Sequence, residues 1–102
     1  MKLEWTRPAV NSLQGIHDYI ARDQPFYATR FIERVIVAAE RLQEFPQLGR
    51  KVPEFDDPKV REILFQAYRI IYRLSSERIQ ILTVIHGSRD LTRASPKPWE
   101  IG

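Results

Sequence analysis

Val60-Arg61-Glu62-Ile63-Leu64-Phe65, Tyr68-Arg69-Ile70-Ile71-Tyr72-Arg73-Leu74 and Ile79-Gln80-Ile81-Leu82-Thr83-Val84-Ile85-His86 are three consecutive runs rich in β-branched and aromatic residues. That composition fits a pleated, half-buried surface, so each run predicts a strand. The links between them, Gln66-Ala67 and Ser75 to Arg78, are short enough that an antiparallel meander is the simplest topology. In the middle run Tyr68, Ile70, Tyr72 and Leu74 alternate with Arg69, Ile71 and Arg73. One face is therefore expected to receive other elements and the opposite face to carry charge. The last run is apolar at both parities and belongs in the interior of the sheet.

Working back from the meander, Pro46 to Pro58 holds three prolines, Gly49 and the acidic cluster Glu54, Asp56 and Asp57, and shows no period; it predicts a loop. Before it, Phe31, Val35, Ala38, Ala39 and Leu42 recur at helical spacing, with Asp23 as the expected cap. Ile32 and Ile36 lie beside that stripe and widen it. Ala9, Leu13, Ile16 and Ile20 form the stripe of an earlier helix, with Thr6 as its N-cap and Pro8 in its first turn, where a missing N–H costs little. Two helices joined by so short a linker form an antiparallel hairpin. Leu3 and Trp5 alternate with charged residues in a short first strand. The expected order is β-α-α-β-β-β, an α+β fold with a helical hairpin packed on one face of a small, mainly antiparallel sheet. Trp99 is too large to stand in water and is expected to fold back or meet a partner.

The chain has 102 residues, a length that suits one domain over residues 1–102. It has no cysteine, which excludes disulfides, thiolate metal sites and a cysteine nucleophile. No apolar run is long enough for a signal peptide or a membrane span, so a soluble cytoplasmic protein is expected, with no membrane partner. The net charge is +3, and it is unevenly placed. Lys59 to Lys97 contains eight basic and three acidic residues, a balance of +5 that leaves −2 for the remainder. Such asymmetry points to a polyanionic or acidic partner, or to a solvated sheet face.

Four segments in order, Phe45-Pro46-Gln47-Leu48-Gly49-Arg50, Val60-Arg61-Glu62-Ile63-Leu64, Tyr68-Arg69-Ile70-Ile71-Tyr72-Arg73 and Ile85-His86-Gly87-Ser88-Arg89-Asp90, resemble the successive signatures of the RelE/ParE superfamily of bacterial toxins. The resemblance covers nearly the whole chain. It implies the same fold, the toxin role in a type II toxin–antitoxin module, and neutralisation by a cognate antitoxin whose carboxyl-terminal segment wraps the toxin. It implies no metal and no small-molecule cofactor. Two activities share the scaffold. ParE-like members poison DNA gyrase, with growth arrest and plasmid stabilisation as consequences; RelE-like members are metal-free, ribosome-dependent mRNA endonucleases.

Metal-free RNA cleavage needs a base for the 2′-hydroxyl, charge on the phosphate and an acid for the leaving oxygen. By the resemblance, Arg69 and Arg89 occupy the places of the two arginines that RelE-like enzymes use. The lysines those enzymes carry on the strand before the Tyr-Arg motif are missing after Lys59, and no tyrosine follows Arg89. Arginine stays protonated and is a poor proton shuttle. His86 is the one imidazole close in sequence to Arg89; it either moves a proton there or closes the strand with a backbone hydrogen bond. His17 belongs to a helix surface. The chain is thus expected to be ParE-like and not an enzyme, with Arg61, Arg69, Arg73 and Arg89 forming a basic face for target or antitoxin. The alternative is an endoribonuclease built on Arg69, Arg89 and His86, with ribosome-bound mRNA as substrate.

Overall fold

A computed structural model describes residues 1–100 of the chain. Its elements are β1 (Lys2–Trp5), α1 (Arg7–Ala21), α2 (Pro25–Glu40), β2 (Arg50–Lys51), β3 (Val60–Phe65), β4 (Tyr68–Leu74) and β5 (Arg78–His86). Short 3-10 turns follow α2 and close the chain at Leu91–Arg93 and Pro98–Glu100. The strands form one sheet in the order β1-β5-β4-β3-β2. β1 runs parallel to β5, and the other pairs are antiparallel. The helical hairpin lies on one face, as the pattern predicts. No described helix is long and apolar enough to cross a membrane.

Thr6 caps α1 through its Oγ1, which accepts from the Ala9 N–H at 3.3 Å and donates to the Ile81 carbonyl at 2.7 Å. Ser12 Oγ accepts the Val84 N–H at 3.0 Å, so α1 also finishes the edge of β5 beyond the end of β1. Ala9, Leu13, Phe31, Val35, Ala39 and Leu42 pack on Ile70, Tyr72, Ile79, Ile81 and Val84 in the main core. Ile32 and Ile36 join it at the margin.

Three features depart from the expected pattern. Asp23 does not cap α2: Gln24 holds that position without a side-chain bond, and the helix opens on Pro25, whose missing N–H leaves one donor fewer to satisfy. Arg50 and Lys51, inside the expected loop, pair with Glu62 and Arg61 as a fifth strand too short to show a period. The face opposite the helices is not a bare charged surface. Val52, Val60, Ile71, Leu82, Leu91 and Trp99 form a second core there, with Phe55, Ile85 and Ala94 at its margin. Trp99 is buried and stacks on Phe55 at 4.6 Å.

A β-bulge explains why the last run is apolar at both parities. Ile71 lies opposite Thr83 and Tyr72 opposite Ile81, which leaves Leu82 as the extra residue of β5. Ile79 and Ile81 face the helices before the bulge and Val84 after it, while Leu82 and Ile85 face the second core.

Candidate functional site

Arg69 sits on the second-core side of β4 and is 5% exposed. Its guanidinium meets two carboxylates. Nε donates to Glu62 Oε1 at 2.7 Å, with Nη2 in ion-pair contact with the same oxygen at 2.6 Å; Nη2 and Nη1 donate to Glu54 Oε1 and Oε2 at 2.7 and 2.9 Å; Nη1 also donates to the Arg89 carbonyl at 3.2 Å. A guanidinium has five N–H donors, and here all three nitrogens are engaged, through four hydrogen bonds and one ion-pair contact. Glu62, 1% exposed, accepts Arg50 Nε on its other oxygen at 2.8 Å, with Nη2 in ion-pair contact at 2.7 Å. Glu54 takes the Leu91 N–H at 3.2 Å. Two arginines and two glutamates thus form a neutral chain that ties β2, β3, β4, the β2–β3 loop and the Arg89–Leu91 turn together. The Glu54–Arg69 hydrogen bonds hold the Glu54 carboxyl below the ordinary glutamate range and the guanidinium above its own.

The four arginines expected to share a basic face do not share one. Arg61 lies opposite Tyr72 and therefore on the helix side of the sheet, where Nε donates to the Pro58 carbonyl and Nη1 to the Gly49 carbonyl, both at 2.9 Å. Arg73 shares Arg69's face, but its guanidinium donates to the Trp99 carbonyl. Only Arg89 is exposed, and its side chain is in no ion pair among the described residues. Gly49 completes this scaffold. Its N–H donates to Tyr72 Oη at 3.0 Å, and Tyr72 donates to the Pro46 carbonyl at 2.8 Å.

Arg69, Arg89 and His86 do line one cleft of about 570 Å³, with Arg50, Glu54 and Tyr68 also on its wall. His86 is exposed. Its Nδ1 accepts the Ser88 N–H at 3.2 Å and lies 2.7 Å from Ser88 Oγ, so in the neutral ring the proton is on Nε2. The ring meets Tyr68 edge-on at 5.5 Å. Burial pushes the Tyr68 phenol above its ordinary value. His17 lies on α1 beside Asp18, away from the cleft. Among the described residues no three His, Asp or Glu side chains gather as a metal-holding set.

A second surface was legible in the sequence only in part. Between α2 and β3 a groove of about 590 Å³ is lined by Arg30, Arg34, Arg41, Val37, Leu48 and Leu64 among others. None of the three arginines is in an ion pair among the described residues. Because β2 pairs only with Arg61 and Glu62, the outer edge of β3 is open from Ile63 to Phe65, and Leu64 is 60% exposed. The signal was present as arginines on the outer face of an amphipathic helix, but the facing strand edge could be known only from the brevity of β2.

Residues 3–91 match the family model described as the ParE toxin of the type II toxin-antitoxin system, parDE. Putative toxin Y4kP of Sinorhizobium fredii is 33% identical over 87 residues, covering 83% of this chain and 86% of the relative. Toxin RelE2 of Caulobacter vibrioides is 31% identical over 86 residues, covering 83% of this chain and 93% of the relative. A chain of the chromosomal ParDE toxin–antitoxin system from P. aeruginosa has a TM-score of 0.73 at 26% identity, over 84% of this chain and 95% of that one. A chain of the toxin–antitoxin complex RelBE2 from Mycobacterium tuberculosis shares the fold, with a TM-score of 0.60 at 21% identity over 83% of this chain and 95% of that one. With two helices on a five-stranded mixed sheet and a family match across most of its length, the chain belongs to the ParE toxin family of type II toxin–antitoxin systems.

Proposed function

We propose that this toxin acts in the cytoplasm by binding and poisoning DNA gyrase, and that a cognate antitoxin holds it inactive. The observation that carries the reading is the state of Arg69. Phosphoryl-transfer chemistry would ask this guanidinium to bind a phosphate, yet Glu54, Glu62 and the Arg89 carbonyl already engage all three of its nitrogens, so a phosphate would first have to displace Glu54. The carboxylates of the cleft are already held, Glu54 by Arg69 and Asp90 by Thr92. Burial raises the Tyr68 phenol further from neutrality, and His86 is the single imidazole present. A toxin that works by binding needs neither a base nor an acid. For the antitoxin, the groove between α2 and β3 supplies unpaired arginines, apolar wall and an open strand edge, features that suit an acidic, initially flexible segment.

One observation favours the second reading, a ribosome-dependent mRNA endonuclease: Arg69, Arg89 and His86 share one cleft, and a relative at 31% identity bears the name toxin RelE2. Expression from a tight promoter, with labelled thymidine and labelled methionine followed in one culture, separates the two. Thymidine incorporation is expected to fall first, with inhibition of gyrase in a supercoiling assay, and His86→Gln is expected to leave both effects largely intact. Earlier collapse of methionine incorporation, with cleavage of ribosome-bound messages that His86→Gln abolishes, would transfer the assignment to the endonuclease.

A further inference from the structure

Glu54 belongs to the β2–β3 loop, residues 52–59, and its carboxylate reaches Arg69 on β4. It fills the guanidinium fork of Arg69 with both oxygens and accepts the Leu91 N–H, so it ties the loop to the Arg89–Leu91 turn. Around the fork stand Arg50, whose side chain is more than half exposed, and the exposed Arg89 and His86. Asp90, the other carboxylate on the wall, is held by Thr92 N–H and Oγ1 at 2.9 and 2.7 Å. Glu54 is therefore the one carboxylate bound in the fork from the cleft side, while Glu62 holds the fork from beneath.

We propose that this cleft is a recognition site for an acidic peptide segment, and that Glu54 is its resident stand-in, displaced when a partner's carboxylate takes the Arg69 fork. The occupant's chemistry follows from what already sits there. A planar carboxylate fits the fork bidentately in the geometry observed for Glu54. Leu64 and Ala67 give the wall beside it an apolar character, which suits an acidic side chain with apolar neighbours better than a sugar-phosphate chain. Arg50 and Arg89 supply the charge that steers such a segment inward. Competition, not protonation, opens the site, because Arg69 keeps Glu54 ionised well below neutral pH. The inference holds whichever cellular target the toxin has.

The test uses the purified full-length toxin and two fluorescein-labelled probes at low ionic strength, a decapeptide of alternating Glu and Leu and a single-stranded RNA decamer. Anisotropy should show the Glu54→Gln variant binding the peptide about tenfold tighter than wild type, because the cost of displacing the stand-in is removed. Adding Arg89→Gln should reduce that gain. Glu62→Gln should show no gain, since its carboxylate lies beneath the fork. In wild type, saturating peptide should accelerate hydrogen exchange of the Leu91 amide, which loses its Glu54 acceptor. That measurement decides the matter alone if Glu54→Gln fails to fold. A folded Glu54→Gln variant with wild-type peptide affinity, or unchanged Leu91 protection with peptide bound, would overturn the proposal. So would an RNA gain equal to the peptide's.

Discussion

Replacing Arg69 by Met asks whether this guanidinium is a scaffold or a contact. The substitution keeps the apolar stem and removes all five donors. Glu62 is left with Arg50 alone, and Glu54 with the Leu91 N–H alone. Glu54 lines the cleft and can turn toward water; Glu62, buried beneath it, cannot. Removing one partner of a buried ion pair costs about 3–5 kcal/mol where the remaining charge is left uncompensated; because Arg50 still pairs with Glu62, the lower end, about 3 kcal/mol, is expected here. A domain of this length loses about 4 °C or more of melting temperature per kcal/mol, so a fall of about 12 °C is expected. Total stability in such domains is about 5–15 kcal/mol, so this single change removes a large share of it.

Thermal unfolding followed by circular dichroism at neutral pH reads this directly, and a second variant separates fold from function. In Arg69→Met/Glu62→Met both buried charges are gone, Arg50 faces solvent, and most of the lost stability should return. If Arg69 is a scaffold, the single variant is non-toxic because it is poorly folded, and the double variant regains toxicity with its fold. A loss below about 4 °C in the single variant, or a double variant no more stable than the single, would refute the reasoning. A stable but non-toxic double variant would make Arg69 a contact with the target.

Three further outcomes are expected. The Glu54 carboxyl is depressed mainly by its hydrogen bonds to Arg69 and that of Asp90 by the Thr92 N–H, so their contribution is complete above the unfolded range near pH ~4–5 and is lost as pH falls through the lower folded values. Urea unfolding should therefore give a plateau at neutral pH and an acid decline whose slope shrinks in Arg69→Met. Gly49→Ala should destabilise by about 1–3 kcal/mol, since a methyl there would lie 2.6 Å from the Glu62 carbonyl and 2.7 Å from Tyr72 Oη; an unchanged melting temperature would show that the Pro46–Gly49 turn yields freely. Arg89→Glu should move stability by no more than about 0.5 kcal/mol, because the side chain is exposed and unpaired, yet weaken growth arrest on induction. Full toxicity in that variant would remove Arg89 from any target contact.

The fold was legible because its main elements carry strong periods: the stripes of α1 and α2, the three runs of the meander, and the Thr6 cap. What covers the second face was not. Val52, Phe55, Leu91 and Trp99 come from aperiodic segments, and no spacing announces where such residues will pack. One hint was available. Ile71 shares parity with Arg69 and Arg73, and an apolar residue between two arginines on one face argues that something covers that face. The misplacement of Arg61 was avoidable by counting. A two-residue link at Gln66-Ala67 sets Phe65 opposite Tyr68, and stepping back along both strands sets Arg61 opposite Tyr72, on the helix side.

The deeper error in reading the basic segment was to treat a count of cations as a potential. Of the eight basic residues from Lys59 to Lys97, Arg69 is neutralised by two carboxylates and Arg78 pairs with Glu4. Arg61, Arg73 and Lys97 donate to backbone carbonyls, where they fasten loops. Such arginines keep their charge but hold it in fixed contacts, and a partner can use them only by breaking those contacts. Unpaired positive charge beside an apolar groove lies on α2 and the turn after it instead, in Arg30, Arg34 and Arg41, within a half of the chain whose net charge is not positive. A flexible acidic segment responds to local potential and to open backbone groups, and both occur together along the outer edge of β3. Charge reversal at Arg34 and Arg41 should therefore slow association with the antitoxin more than reversal at Arg61 and Arg73, and stopped-flow measurement at two ionic strengths would show it. Equal effects from the two pairs would place the antitoxin's approach elsewhere on the toxin.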